Sequence, residues 1–256
     1  MKALEVSGLS AWYGPVPTVV DITLAAESGA ITAIVGPNGA GKSTFLKALF
    51  GVVNRSGSIR VRGVDVGGRA PDEVVRLGMA YVPQEANVFE SLSVEENLEI
   101  GAIASAEPLG PALDRVWALF PDLLVARQKP AGSLSGGQRN MLALARGLMS
   151  NPSVVLMDEP TAGLAPIYVD TVWNCVRSVA EQGAAVVVVE QNVSRALRAA
   201  DWAYVFVNGR NRLDGPAVEV AGANLRDLFL GTSSSAGQQA EREEGSMSAG
   251  IPGPVG

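Results

Sequence analysis

An α/β fold is predicted by three observations. Three apolar runs of strand length, 30–35, 154–157 and 184–189, are too continuous for strands with one wet face and read as strands buried on both sides. Helical spacing of apolar residues recurs between them, as in Met141, Leu142, Leu144, Ala145, Leu148 and Met149, which share one broad face. Between the first run and a helix opening near Lys42 lies Gly36-Pro37-Asn38-Gly39-Ala40-Gly41-Lys42-Ser43-Thr44, which matches Gly-x-x-x-x-Gly-Lys-Ser/Thr at every fixed position.

That loop has the chemistry of a nucleoside triphosphate site. Its three glycines let the backbone wrap closely and aim N–H groups at β- and γ-phosphate oxygens. The helix that follows turns its positive dipole end to the same oxygens. Lys42 adds a full charge, and the Ser43 hydroxyl is a hard oxygen ligand suited to Mg²⁺.

The other elements follow in order. Alternating stretches at 4–7 and 19–24, with 57–63, predict an antiparallel sheet beside the loop. Tyr13 stands in the Gly/Pro-rich turn between the first two. Its ring either stacks on adenine or packs as a half-buried aromatic. Residues 79–84 form a short strand ending in Gln84, and Ser93 with Glu96 makes a capping box that starts a helix. A helical segment broken by Pro108, Pro111 and Pro121 runs to about Pro130. Leu134-Ser135-Gly136-Gly137-Gln138 precedes the apolar-faced helix expected over 139–149, and its glycines resemble a second anion-binding helix start.

The run 154–159 ends in Asp158 and Glu159; a lone pair of this kind is commonly an acidic turn at a strand end, but with a phosphate loop upstream Asp158 would hold the Mg²⁺ shell and Glu159 would face the attacking water. Residues 184–189 end in Glu190-Gln191-Asn192. The stretches 202–207 and 210–214 form a hairpin around Asn208-Gly209, and 225–230 is a short helix. From 232 to 256, Ser, Gly, Gln, Glu and Pro dominate, which reads as a flexible low-complexity tail.

Composition bounds the function. A chain of 256 residues with 47% apolar content buries a full core as one large domain, or as one with a sizeable insertion. The formal charge of −6 disfavours a general nucleic-acid binder. The single cysteine, Cys175, cannot form an internal disulfide and is expected in a helix. Histidine is absent, which removes the usual side chain titrating between pH 5 and 8. No secretory signal is visible at residues 1–5 and no run of 18 apolar residues could cross a bilayer, so any work at a membrane needs partners that span it. A guanine-reading Asn-Lys-x-Asp segment is missing, since none of Lys2, Lys42, Lys47 and Lys129 follows an Asn.

Tyr13, the phosphate loop, Gln84, residues 134–138 and Asp158-Glu159, in that order, closely resemble the ATP-binding subunit of ABC transporters over about residues 4–231. The resemblance implies a P-loop NTPase fold with a RecA-like core, an antiparallel β subdomain and a helical subdomain inserted at about 88–150. The ATP-binding domain is then 1–231 and the tail 232–256. It also implies head-to-tail pairing of two such domains, so that Ser135, Gly136, Gly137 and Gln138 reach ATP bound by the partner. Ser43, Asp158 and Gln84 would hold Mg²⁺, and Glu159 would act as general base. Gln84 and the loop to Leu92 would sense a membrane subunit. Val88-Phe89 is either its docking spot or part of the helical core.

Two departures stand out. Gln191 occupies the place of the family's usual histidine: it can donate to a γ-phosphate but cannot exchange a proton. Pro166 stands where many members have an aspartate, which leaves open the cross-dimer contacts assigned to that loop. Residues 163–166, 190–192 and 93–98 resemble the ATPase of branched-chain amino acid importers, a group that also handles urea and short amides. That likeness implies two transmembrane permease subunits, a second ABC ATPase or a second copy of this chain, and indirectly an extracytoplasmic substrate-binding protein. It places the chain peripherally on the cytoplasmic face of the plasma membrane. The ATPase of a lipid exporter, or a soluble ABC ATPase outside transport, remains the alternative.

Overall fold

The computed structural model describes residues 1–85 and 88–230. The tail expected at 232–256 lies outside the described residues, as do Ala86 and Asn87 in the loop after Gln84. The strands are β1 (Lys2–Trp12), β2 (Val19–Glu27), β3 (Ile31–Val35), β4 (Asn54–Val61), β5 (Val64–Asp65), β6 (Met79–Val82), β7 (Val154–Asp158), β8 (Ala185–Val189), β9 (Trp202–Val207) and β10 (Arg210–Pro216). The helices are α1 (Lys42–Phe50), α2 (Pro71–Arg76), α3 (Val94–Ala102), α4 (Leu109–Leu119), α5 (Pro121–Val125), α6 (Gly136–Leu148), α7 (Pro166–Glu181), α8 (Val193–Ala199), α9 (Ala217–Gly222) and α10 (Leu225–Leu230). Residues Met1–Ala223 form one compact unit. The single short helix α10 lies beyond it.

Two sheets organise that unit. One is antiparallel, in the order β2-β1-β4-β5. The other has six strands in the order β10-β9-β3-β8-β7-β6, with β9, β3, β8, β7 and β6 parallel and β10 antiparallel at one edge. The continuous apolar runs are explained by burial on both faces. Val154 and Leu156 of β7, with Ala185, Val187 and Val189 of β8, face a core shared with α1 and the antiparallel sheet. Their neighbours Val155, Met157, Val186 and Val188 face a second core with α3 to α7. Side chains alternate across a pleated strand, so a strand between two layers must be apolar at every position.

This topology positions the site. The carboxyl ends of the parallel strands β3, β8, β7 and β6 lie side by side, and each leads into a polar segment: the glycine loop, Glu190-Gln191, Asp158-Glu159 and Gln84. Open α/β sheets bind ligands in the crevice outside those ends. At the far end of α1 the Arg55 guanidinium donates to the carbonyls of Ala48, Leu49 (3.0 Å) and Val66 (2.8 Å), a cation on the negative end of the helix dipole.

Most of the elements expected from sequence are present, with instructive differences. The helix placed at 139–149 begins at Gly136, because Ser135 and Gln138 cap each other reciprocally: Gln138 N donates to Ser135 Oγ (3.3 Å) and Ser135 N to Gln138 Oε1 (3.0 Å). The strand expected to end at Gln84 stops at Val82. Helices α2, α8 and α9 were not expected. The capping box at Ser93 and Glu96 is formed as anticipated (2.7 and 3.1 Å), and Pro166 opens α7 at its first turn.

Candidate active site

The phosphate loop is shaped by two constraints. Gly36 has φ 155°, and a Cβ there would lie 2.1 Å from the carbonyl oxygen of Phe206 on β9, so even a methyl group cannot be admitted. This packing constraint, invisible in the motif, adds to the need for close approach by a phosphate. Gly41 forms the N-cap of α1, and no side chain caps that helix, which leaves its first-turn donors to an anion. Lys42 is buried and its ammonium donates to the loop carbonyls of Gly36 (2.9 Å) and Pro37 (3.1 Å). Burial lowers its pKa, while the carboxylates of Glu159, Asp158 and Glu190 oppose that shift. A lysine facing three carboxylates is the local counter-charge of the crevice.

At the end of β7 the Asp158 carboxylate accepts from Ser43 Oγ on Oδ1 (2.8 Å) and from the Tyr81 hydroxyl on Oδ2 (3.2 Å). Burial and the neighbouring Asp158 charge push the Tyr81 phenol well above its usual pKa, so it stays a donor. Ser43 and Asp158 thus present two hard oxygens side by side, with Tyr81 orienting the carboxylate. That donor set fits Mg²⁺, which takes oxygen ligands and keeps several waters.

Glu159 follows in a left-handed conformation, φ 49°, unusual for a residue with a Cβ. Its carboxylate is buried, and Oε2 accepts from both Gln84 Nε2 (3.1 Å) and Gln191 Nε2 (2.6 Å). Among the described residues Oε1 receives no hydrogen bond, which leaves it able to accept from a water. Gln191, expected to donate to a phosphate, here spends its amide on Glu159.

The structure therefore brings together Lys42, Ser43, Gln84, Asp158, Glu159 and Gln191. Tyr13 is 59% exposed in the turn between β1 and β2. Ser135 caps α6 and Gly136, Gly137 and Gln138 form its first turn, where Gly137 packs against the Tyr168 ring of α7. The same helix reaches the turn after β7 through Asn140 Nδ2, which donates to the Pro160 carbonyl (3.2 Å). Val88 packs against the second core, whereas Phe89 is 48% exposed with the Arg146 guanidinium 5.1 Å over its ring. Two site residues escaped the sequence reading: Tyr81, whose strand gives no sign of its partner, and Glu190, described below.

Known proteins show the same combination of fold and loop. The profile of the family described as ABC transporter matches residues 19–162, more than half of the chain. The chain belongs to the ABC transporter family. It is 38% identical over 231 residues to the high-affinity branched-chain amino acid transport ATP-binding protein BraG of Pseudomonas aeruginosa, covering 89% of this chain and 99% of BraG. It is 39% identical over 215 residues to the probable branched-chain amino acid transport ATP-binding protein LivF of Archaeoglobus fulgidus, covering 83% and 91%. Among solved structures it resembles the ADP conformation of an ATP-binding cassette of an ABC transporter, with a TM-score of 0.77 and 26% identity over 96% of this chain and all of that one. The fold of this ABC family member is accordingly the ABC ATPase type of P-loop NTPase. Among its described residues no helix is long and apolar enough to cross a membrane.

Proposed function

We propose that this chain binds ATP with Mg²⁺ and hydrolyses it to power an ABC importer for branched-chain or related amino acids. The observation that carries the chemistry is the buried Glu159 carboxylate, held by Gln84 and Gln191 beside the Ser43–Asp158 pair. The substrate class is supported by the likeness to BraG and LivF along nearly their whole lengths.

Each side chain has a definable task. Lys42 and the loop amides neutralise the phosphates and hold the chain of ATP in line, which is most of what phosphoryl transfer asks of a protein. Ser43, Asp158 and Gln84 hold Mg²⁺, which when bound offsets negative charge on the phosphate oxygens. Glu159 Oε1 accepts a proton from the attacking water while Oε2 stays fixed by two amides, a role typically worth about 10² to 10⁴ in rate. Tyr13 stacks on adenine. Ser135, Gly136, Gly137 and Gln138 contact the nucleotide of a paired domain, and that pair is either two copies of this chain or this chain with a second ABC ATPase.

In this reading the chain works at the cytoplasmic face of the membrane beneath two transmembrane permease subunits, with an extracytoplasmic binding protein delivering the substrate. Residues 1–231 serve as the ATP-binding domain, residues 88–150 as its helical subdomain and 232–256 as a tail outside it. The test is isolation of Glu159→Gln protein from host membranes in Mg-ATP, with its companions identified by mass spectrometry. Two multi-span subunits and a second P-loop ATPase, or a homodimer on two multi-span subunits, are expected. Soluble companions alone would overturn the transport reading.

A further inference from the structure

Glu190 directly follows β8 with a side chain that the mechanism above does not use, although the residue is only 3% exposed. Oε1 accepts from both the hydroxyl (2.6 Å) and the backbone N–H (3.2 Å) of Thr161, and Oε2 accepts from the backbone N–H of Gln191 (3.2 Å). Thr161 belongs to the turn that follows Glu159 and is closed by Ala162 N to Glu159 O (3.0 Å) and Leu164 N to Thr161 O (3.3 Å). One carboxylate therefore bridges the loops after two neighbouring strands, and each loop carries a group of the site. We infer that Glu190 is a positioning residue for hydrolysis, clasping the Thr161 turn and the Gln191 backbone so that the Gln191 amide stays on Glu159.

Three physical points support the assignment. A buried carboxylate is costly unless it is well hydrogen-bonded, and an apolar side chain would fill the same space more cheaply. Burial and the nearby Glu159 charge push the Glu190 carboxyl above its usual pKa, while the three donors pull it back, so the donors are what keep it an acceptor. Glu159 itself sits in a left-handed conformation, and such a residue holds its geometry only when its surroundings fix it.

The inference rests on the ATPase reading, and its test separates the two. Wild type, Thr161→Val, Thr161→Ser, Glu190→Gln and the Thr161→Val/Glu190→Gln double variant are compared in Mg-ATP turnover and in equilibrium ATP binding. Thr161→Val removes the hydroxyl at nearly constant volume. We expect kcat to fall about tenfold in Thr161→Val and in Glu190→Gln, the scale of one lost charge-assisted bond, with ATP affinity within about threefold of wild type. Thr161→Ser restores turnover, and the double variant is less impaired than the product of the single losses. Wild-type kcat in both single variants, or a loss in Thr161→Val that Thr161→Ser does not restore, overturns the role of Glu190 and leaves the ATPase reading standing. Absence of hydrolysis in the wild type overturns both.

Discussion

Gly137→Ala sets two effects of opposite sign against each other. In an exposed helical turn the change from Gly to Ala stabilises by about 0.5 to 1 kcal/mol, because Ala has less backbone freedom to lose on folding. Here the added Cβ would lie 2.6 Å from Cγ, 2.8 Å from Cδ1 and 3.1 Å from Cβ of Tyr168. These atoms are at the root of the side chain, so the clash cannot be relieved by bending its far end. Overpacking of this kind costs about 1 to 3 kcal/mol and outweighs the helix gain. The expected net loss is about 0 to 2.5 kcal/mol after subtracting one range from the other. Urea unfolding of the single and double variants is the assay. In a Tyr168→Ala background the two ring-atom contacts are gone and only the 3.1 Å approach to Cβ remains, so Gly137→Ala should cost at least about 1 kcal/mol less there than in the wild type. Effects that add within about 0.5 kcal/mol would refute the reasoning.

Other outcomes follow from single side chains. Asn97 is fully buried in α3 and holds the loop after Gln84, accepting from Phe89 N (2.8 Å) and donating to the carbonyls of Phe89 (3.0 Å) and Ser93 (2.9 Å). Asn97→Leu leaves those groups unpaired and should cost about 2 to 4 kcal/mol in urea unfolding. Tyr81→Phe removes the donor to Asp158 Oδ2 and should raise the Mg²⁺ concentration for half-maximal turnover by about tenfold, with little change in ATP affinity measured without metal. For Glu190, the folded pKa lies above the ordinary 4.5. Its favourable contribution is therefore complete below 4.5 and is lost as pH rises through the folded value. Unfolding curves of wild type and Glu190→Gln should diverge in that direction, with wild type losing stability relative to the variant as pH rises. With no histidine in the chain, turnover by the isolated protein should show no imidazole limb between about pH 5 and 8.

Much of the fold is legible because the two-layer burial of β7 and β8 writes itself as unbroken apolar runs, and because the glycine loop announces which strand it follows. Short helices are less legible. Helix α2 has six residues and only Val74 buried, too few positions for a period to emerge. The start of α6 lies three residues before the 139 expected, because the apolar face that marks the helix begins only at Met141, although Gly136 and Gly137 have the look of a helix start. Ser135 and Gln138 have the spacing of a capping box, and that pattern was the available signal. In the site, Lys42, Ser43, Asp158 and Glu159 are marked by motifs, since their spacing along the chain is local. Tyr81 and the Gly137–Tyr168 contact depend on strands and helices far apart in sequence, and nothing in their neighbours marks them; Glu190 stands beside Gln191 at a strand end, but its partner Thr161 is 29 residues away in sequence. Gln191 was placed in the site, but its partner was expected to be a phosphate and is Glu159 in this structure.

The central claim is that Glu159 takes the proton from water. It is tested by measuring ATP affinity and Mg-ATP turnover of wild type and Glu159→Gln side by side. Gln keeps the size and one acceptor oxygen but is far too weak a base, so ATP affinity should be retained and turnover should fall by about 10² or more. Turnover at the wild-type rate in Glu159→Gln would contradict the account.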